Sequence, residues 1–199
     1  MLKTAARFLL TAAVASLPSL ALAHPESGSA VSFAHGFSHP VGGLDHVLAM
    51  VLVGMLAVQP GARAVWSVPL TFLSVMALGG LLGFFGVELT FVETGIAGST
   101  VVLGAMLAFE ISLPVMVVTL LTGFFALFHG HAHGAEMPST AGLLAYVTGF
   151  IVATAGLHIA GLLAGLAFVN AWLRNGTLLL KGVGAAASLS GVAILFGVI

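Results

Sequence analysis

The chain predicts an all-α fold, a polytopic transmembrane bundle of about six helices behind a cleavable signal peptide. Three observations lead there. Of 199 residues, 60% are hydrophobic and only 6% charged, with a mean hydropathy of +1.21. A soluble domain carries about 25% charged residues to cover its surface. Apolar runs of roughly 20 residues recur, the length that crosses a bilayer core about 30 Å thick. The few Lys and Arg residues also fall on one side of the alternation those runs imply.

The first element is the signal peptide. Lys3 and Arg7 precede the apolar stretch Phe8–Leu17, Pro18 interrupts it, and Ala21-Leu22-Ala23 supplies a small-x-small cleavage site. Residues 1–23 are thus expected to be removed, leaving His24 at the mature N-terminus; an uncleaved anchor helix is the alternative. Residues 24–199 read as a single transmembrane domain, with no linker and no fixed-period repeat.

Helices are expected near 41–58, 65–86, 95–110, 112–130, 140–168 and 177–198. Pro60-Gly61 and Arg174-Asn175-Gly176 punctuate two connections, and Pro138 ends a third. Pro69 and Pro114 are expected early in their helices, where a missing N–H matters least. Export of the N-terminus would put Arg63, Arg174 and Lys181 on the inner side, in agreement with the positive-inside rule. That orientation puts Glu26, Glu88, Glu93 and Glu136 outside and Glu110 inside. It also gathers His24, His35, His39, His46, His129, His131 and His133, seven of the eight histidines, at the outer face. The eighth, His158, lies within a span. Gly79-x-x-x-Gly83 and Gly161-x-x-x-Gly165 let helices approach closely and are read as packing features.

Composition also excludes. A net charge of −1 offers no surface for a polyanion, so no nucleic acid partner is expected. With no cysteine there are no disulfides, thiolate metal sites or thiol catalysis. No GxxxxGK[ST] loop is present, so any driving force is expected from the membrane potential, an ion gradient, trapping inside or a separate partner.

Ionisable side chains at membrane depth are costly and mark a pathway for something that binds them. His39-Pro40-Val41-Gly42-Gly43-Leu44-Asp45-His46 opens the first span, and Pro40 suits a first helical turn. His46 and Met50 share a face, an imidazole with a soft thioether. His39 and His46 also face alike, yet a regular helix separates them by ~10 Å of rise, too far for one ion. Either Gly42-Gly43 bends the backbone, or the two serve successive positions. Asp45 can bind directly or fix an imidazole tautomer through a hydrogen bond; the plainer reading is a capped helix end.

The second cluster is His129-Gly130-His131-Ala132-His133-Gly134-Ala135-Glu136. If it is helical, His129 and His133 stack one turn apart, Glu136 follows on their face, and His131 points away. Two imidazoles at i and i+4 form a bidentate metal-binding arrangement. If the glycines open a loop, all three histidines converge. His24 can chelate through its ring and free amine after cleavage, and His35 is either a capture ligand or a solvated residue. His158 is either a ligand or a hydrogen-bonded core histidine, and Glu110 a transit group or a loop residue. Met55, Met76, Met106 and Met116 read as packing. Imidazole with carboxylate suits a divalent transition ion such as Ni²⁺, where an all-oxygen site would suit Mg²⁺ or Ca²⁺.

The motif His39-Pro40-x-x-Gly43-x-Asp45-His46-x-x-x-Met50, with Phe128-His129-Gly130-His131-Ala132-His133-Gly134-x-Glu136, resembles the HupE/UreJ family of nickel/cobalt permeases. The resemblance implies a multi-pass protein of the bacterial inner membrane that takes up Ni²⁺ or Co²⁺ as substrate, holds no prosthetic group and is not an enzyme. It implies His39, Asp45 and His46 as the principal metal site, and His129, His133 and Glu136 as a second cluster. A functional link to hydrogenase or urease maturation follows in the same way, and a homo-oligomer is compatible with it. The rival readings are a membrane metal sensor or reservoir that does not transport, and an intramembrane metalloenzyme; the lack of a His-Glu-x-x-His segment weighs against the latter.

Overall fold

The computed structural model of the chain describes residues 28–59, 61–169 and 176–199. The expected signal peptide, His24, Glu26, Pro60 and Arg174 lie outside the described residues. Seven helices and no strand occupy the described residues: α1 Ser29–Gly42, α2 Leu44–Leu56, α3 Ala64–Phe84, α4 Val92–Ala108, α5 Val115–Ala135, α6 Leu143–Val169 and α7 Gly176–Leu195. The fold is all-α, as composition and hydropathy predict. Among these, α3, α5, α6 and α7 are each long and apolar enough to cross a membrane. Helices α1 and α2 reach that length and apolarity only together, bent by 82° at their junction as a broken span or a re-entrant loop, and α4 is a shorter apolar helix.

The expected first helix needs correction. Helical structure begins at Ser29 instead of residue 41, so Pro40 lies inside α1 and not in a first turn. The segment before Pro40 carries too many small and polar residues to read as an apolar run, yet it is held by α6. The Ser32 hydroxyl accepts the Gly142 N–H at 2.9 Å and donates to the Gly28 carbonyl at 3.3 Å. Pro40 has no N–H to extend the ladder, and the chain leaves the helix within three residues, at an extended Gly43. The other expected helices recur with shifted ends. The fourth starts after its N-cap Pro114 and continues to Ala135, past the expected 130, so His129, His131 and His133 all stand on regular helix.

Three helix pairs build the bundle. Ser67 meets Thr119, Gly123 lies against Thr71, and Gly130 and Gly134 press on Met76 and Gly80. Residue numbers rise together along this contact, so α3 and α5 run parallel and α4 must return between them. Helices α1 and α2 likewise run parallel to α6, with Gly36 on the Tyr146 backbone and Gly161 on Val51. Helix α4 runs antiparallel to α7, where Gly104 meets Gly184 and Gly191 meets Ala97 and Val101. Glycine at each crossing removes the Cβ that would strike the opposing backbone, which is how apolar helices approach closely in lipid. Met50, Phe72, Met76, Leu103, Tyr146 and Phe150 fill the shared core. Large apolar side chains such as Trp66, Leu120 and Leu144 face outward as a lipid-contacting surface.

Charge separates along the bundle. Arg63 precedes α3, and Lys181 pairs with Glu110 at 2.9 Å near the same end. Glu88, Glu93 and Glu136 lie at the opposite end.

Candidate metal site

The bend at Gly43 brings together residues that a straight helix would hold apart. His39 from α1, His46 from α2, and His129 and His133 from α5 form one cluster of imidazoles. Ring centroids lie 4.8 Å apart for His39 and His133, 4.8 Å for His46 and His133, and 4.9 Å for His46 and His129. Of the two sequence alternatives, the backbone deviation at the glycines is the one that occurs. The helical alternative also holds for the second cluster, with His129 and His133 on one face.

Each ring is oriented by its surroundings. The Asp45 carboxylate accepts the His46 backbone N–H at 2.8 Å and its Nδ1–H at 2.9 Å. A carboxylate can only accept, so the His46 lone pair resides on Nε2, which is buried and has no partner. His39 Nε2 lies 3.0 Å from Glu136 Oε2. His129 Nε2 lies 2.9 Å from the Ser99 hydroxyl of α4, and its Nδ1 is unpartnered. His133 is fully buried against the Phe150 ring, and neither of its nitrogens has a partner. Thr100 ties α4 to α2 by donating to the Asp45 carbonyl at 3.3 Å. Buried polar atoms are nearly always satisfied, so four unpartnered imidazole nitrogens on three adjacent rings mark a place for a water molecule or an ion. In neutral rings three of them, one per imidazole, have a lone pair to offer, and the other His133 nitrogen carries its proton. Among the described residues no three His, Asp or Glu side chains are arranged so as to hold a metal ion; the rings pack edge to face or tilted, so a bound ion would have to turn them.

The cluster is reached from one rim. A cavity of about 270 Å³, lined by His35, Ser38, His39, Glu136, Pro138 and Tyr146, opens beside it. His35 is thus an exposed vestibule residue near His39 and Glu136. On the inner side, Phe72 lies 5.8 Å from His129 and 5.0 Å from His158, ring to ring. His158 is buried with both nitrogens unpartnered, and it also borders an apolar groove of about 340 Å³ between α3 and α6.

Two candidates are not brought in. His131 points away from the cluster and its Nε2 meets the Val87 carbonyl at 2.7 Å. Met50 is buried in the apolar core a turn beyond His46. Ser99, Thr100, Phe72 and Tyr146 were not legible as site residues, because each depends on a contact between distant helices. The adjacent hydroxyls of Ser99 and Thr100 in an apolar helix were the available signal.

A bundle of long apolar helices with histidines and a carboxylate set among them is a polytopic membrane protein. Comparison with known proteins narrows this. The family described as HupE / UreJ protein matches residues 12–194. Protein HupE of Rhizobium leguminosarum bv. viciae is 45% identical over 188 residues, which cover 94% of this chain and 96% of that relative. The chain belongs to the HupE/UreJ family, membrane permeases associated with nickel and cobalt uptake. No solved structure matches it.

Proposed function

We propose that the protein is a secondary permease that takes up Ni²⁺, and Co²⁺ as an alternative cargo, from the extracytoplasmic side of the bacterial inner membrane. The observation that carries this is the convergence of the His39, His46, His129 and His133 rings, the last three of which carry unpartnered buried nitrogens. In this reading residues 1–23 are a cleaved signal peptide and 24–199 one permease domain. The vestibule at His35, His39 and Glu136 gathers the ion, and Asp45 balances its charge. His46, His129 and His133 replace its waters, and His158 receives it beyond Phe72. His24, once freed as the N-terminus, assists capture. The direction is supported by charge, since Arg63 and Lys181 lie at the end opposite the cluster. A link to hydrogenase or urease maturation would follow from the cargo.

Proteoliposomes holding the purified chain are expected to accumulate radioactive nickel. Asp45→Ala and His46→Ala are each expected to abolish accumulation with normal folded yield. Binding without accumulation in the parent protein would favour a reservoir over a permease. Undiminished accumulation by both variants would remove the site.

A further inference from the structure

We infer that Ser99 is a positioning residue that sets the tautomer of His129 and so selects Nδ1 as its metal-facing nitrogen. This deepens the proposed function and rests on it for the cargo, but its geometric basis is independent of any cargo.

The argument begins with one hydrogen. A serine hydroxyl has a single proton to donate and two lone pairs to accept with. Ser99 Oγ lies 2.6 Å from the Ile96 carbonyl oxygen in the preceding turn of α4. A carbonyl can only accept, and two oxygens do not rest that close without a proton between them. The hydroxyl proton therefore belongs to the Ile96 bond. Toward α5 the same oxygen lies 2.9 Å from His129 Nε2 and has only lone pairs left to offer. His129 must then donate from Nε2, and its lone pair falls on Nδ1.

That nitrogen is buried and unpartnered, on the ring that stands edge-on to His46 at 4.9 Å. The neighbouring ring is set in the opposite sense: Asp45 holds the proton on His46 Nδ1 and leaves Nε2 free. Two outer partners on different helices, one a carboxylate and one a neutral hydroxyl, thus fix complementary tautomers on two facing imidazoles. Ser99 is completely buried, so water cannot replace it. It also adds no charge to the site. Groups that donate to or accept from a ligating histidine typically change metal affinity by about ten- to a hundredfold when removed.

The test uses the full-length protein in detergent, with ¹⁵N-labelled imidazoles and Ni²⁺ alone as the probe. In the metal-free parent, the ¹⁵N signals of His129 are expected to show a protonated Nε2 and a bare Nδ1. Ser99→Ala is expected to mix the two tautomers and weaken Ni²⁺ binding by about ten- to a hundredfold, while Ser99→Thr, which keeps a hydroxyl, restores the single tautomer. A parent His129 protonated on Nδ1 overturns the inference, as does unchanged Ni²⁺ affinity in a folded Ser99→Ala protein. If the parent binds no nickel, the permease reading fails, while the tautomer remains readable from the same spectra.

Discussion

At Gly43 the backbone and the chemistry compete for the same space. Its φ of −102° and ψ of 126° are open to any residue, so conformation alone does not call for glycine. Crowding does. A Cβ at this position would lie 2.8 Å from Asp45 Oδ1 and 3.1 Å from His46 Nδ1, the two atoms that share the orienting hydrogen bond. Gly43→Ala is therefore expected to leave the bundle intact and to push the carboxylate off the imidazole. Nickel affinity should fall by about tenfold or more, in line with loss of an outer partner. Titration of the purified variant with Ni²⁺, beside a thermal melt showing an unchanged midpoint, checks this; unaltered affinity would show that Asp45 does not orient His46. The residues of this motif were legible in the sequence because ionisable groups stand out in an apolar chain. Their convergence was not, since a seven-residue separation on a helix and the same separation across a kink look identical when written as letters.

Helix α5 is organised by two adjoining faces. Gly130 and Gly134 press it onto α3, where a Cβ at either would run into the Met76 or Gly80 carbonyl. His129 and His133 occupy another face and look into the cluster, while His131 turns to the α3–α4 connection. The depth of the glycine contact thus sets where the imidazoles sit. Gly130→Val must push α5 away from backbone that cannot yield, at a cost of about 1–3 kcal/mol by analogy with overpacked cores. A lower melting midpoint and reduced nickel binding are expected together. Gly98→Ala, where a Cβ meets nothing within 4 Å, serves as the neutral comparison. Equal melting of the two variants would mean the crossing does not hold α5. At this scale the i, i+4 spacing of the histidines and the Gly79-x-x-x-Gly83 pattern were readable in advance. The start of α1 was not, because Ser29–His39 gains its helicity from contact with α6 more than from its own pattern. Ser99 was hidden because its imidazole partner lies thirty residues away on another helix.

Across the whole molecule the arrangement is polar in the electrical sense. Acidic groups and the histidine vestibule share one end, while Arg63 and the Lys181–Glu110 pair occupy the other. For the proposed permease, with no nucleotide-binding loop in the chain, the driving force is the membrane potential, an ion gradient, trapping of the ion after entry or a separate partner. A charge crossing 100 mV gains about 2.3 kcal/mol, so a divalent cation gains about 4.6 kcal/mol. At roughly 1.4 kcal/mol per tenfold in concentration, that sustains an accumulation of about three decades without a coupled ion. Proteoliposomes given an inside-negative potassium diffusion potential of ~100 mV should approach that ratio. The same vesicles with the potential collapsed should stop near equal concentrations on both sides. Collapse of the potential after loading should release the excess nickel, because a passive path runs in both directions. Accumulation that persists at zero potential but vanishes with the proton gradient would instead assign the work to proton exchange. The imidazoles and the carboxylates of Asp45 and Glu136 would then carry protons against metal, and the uniport account would be abandoned.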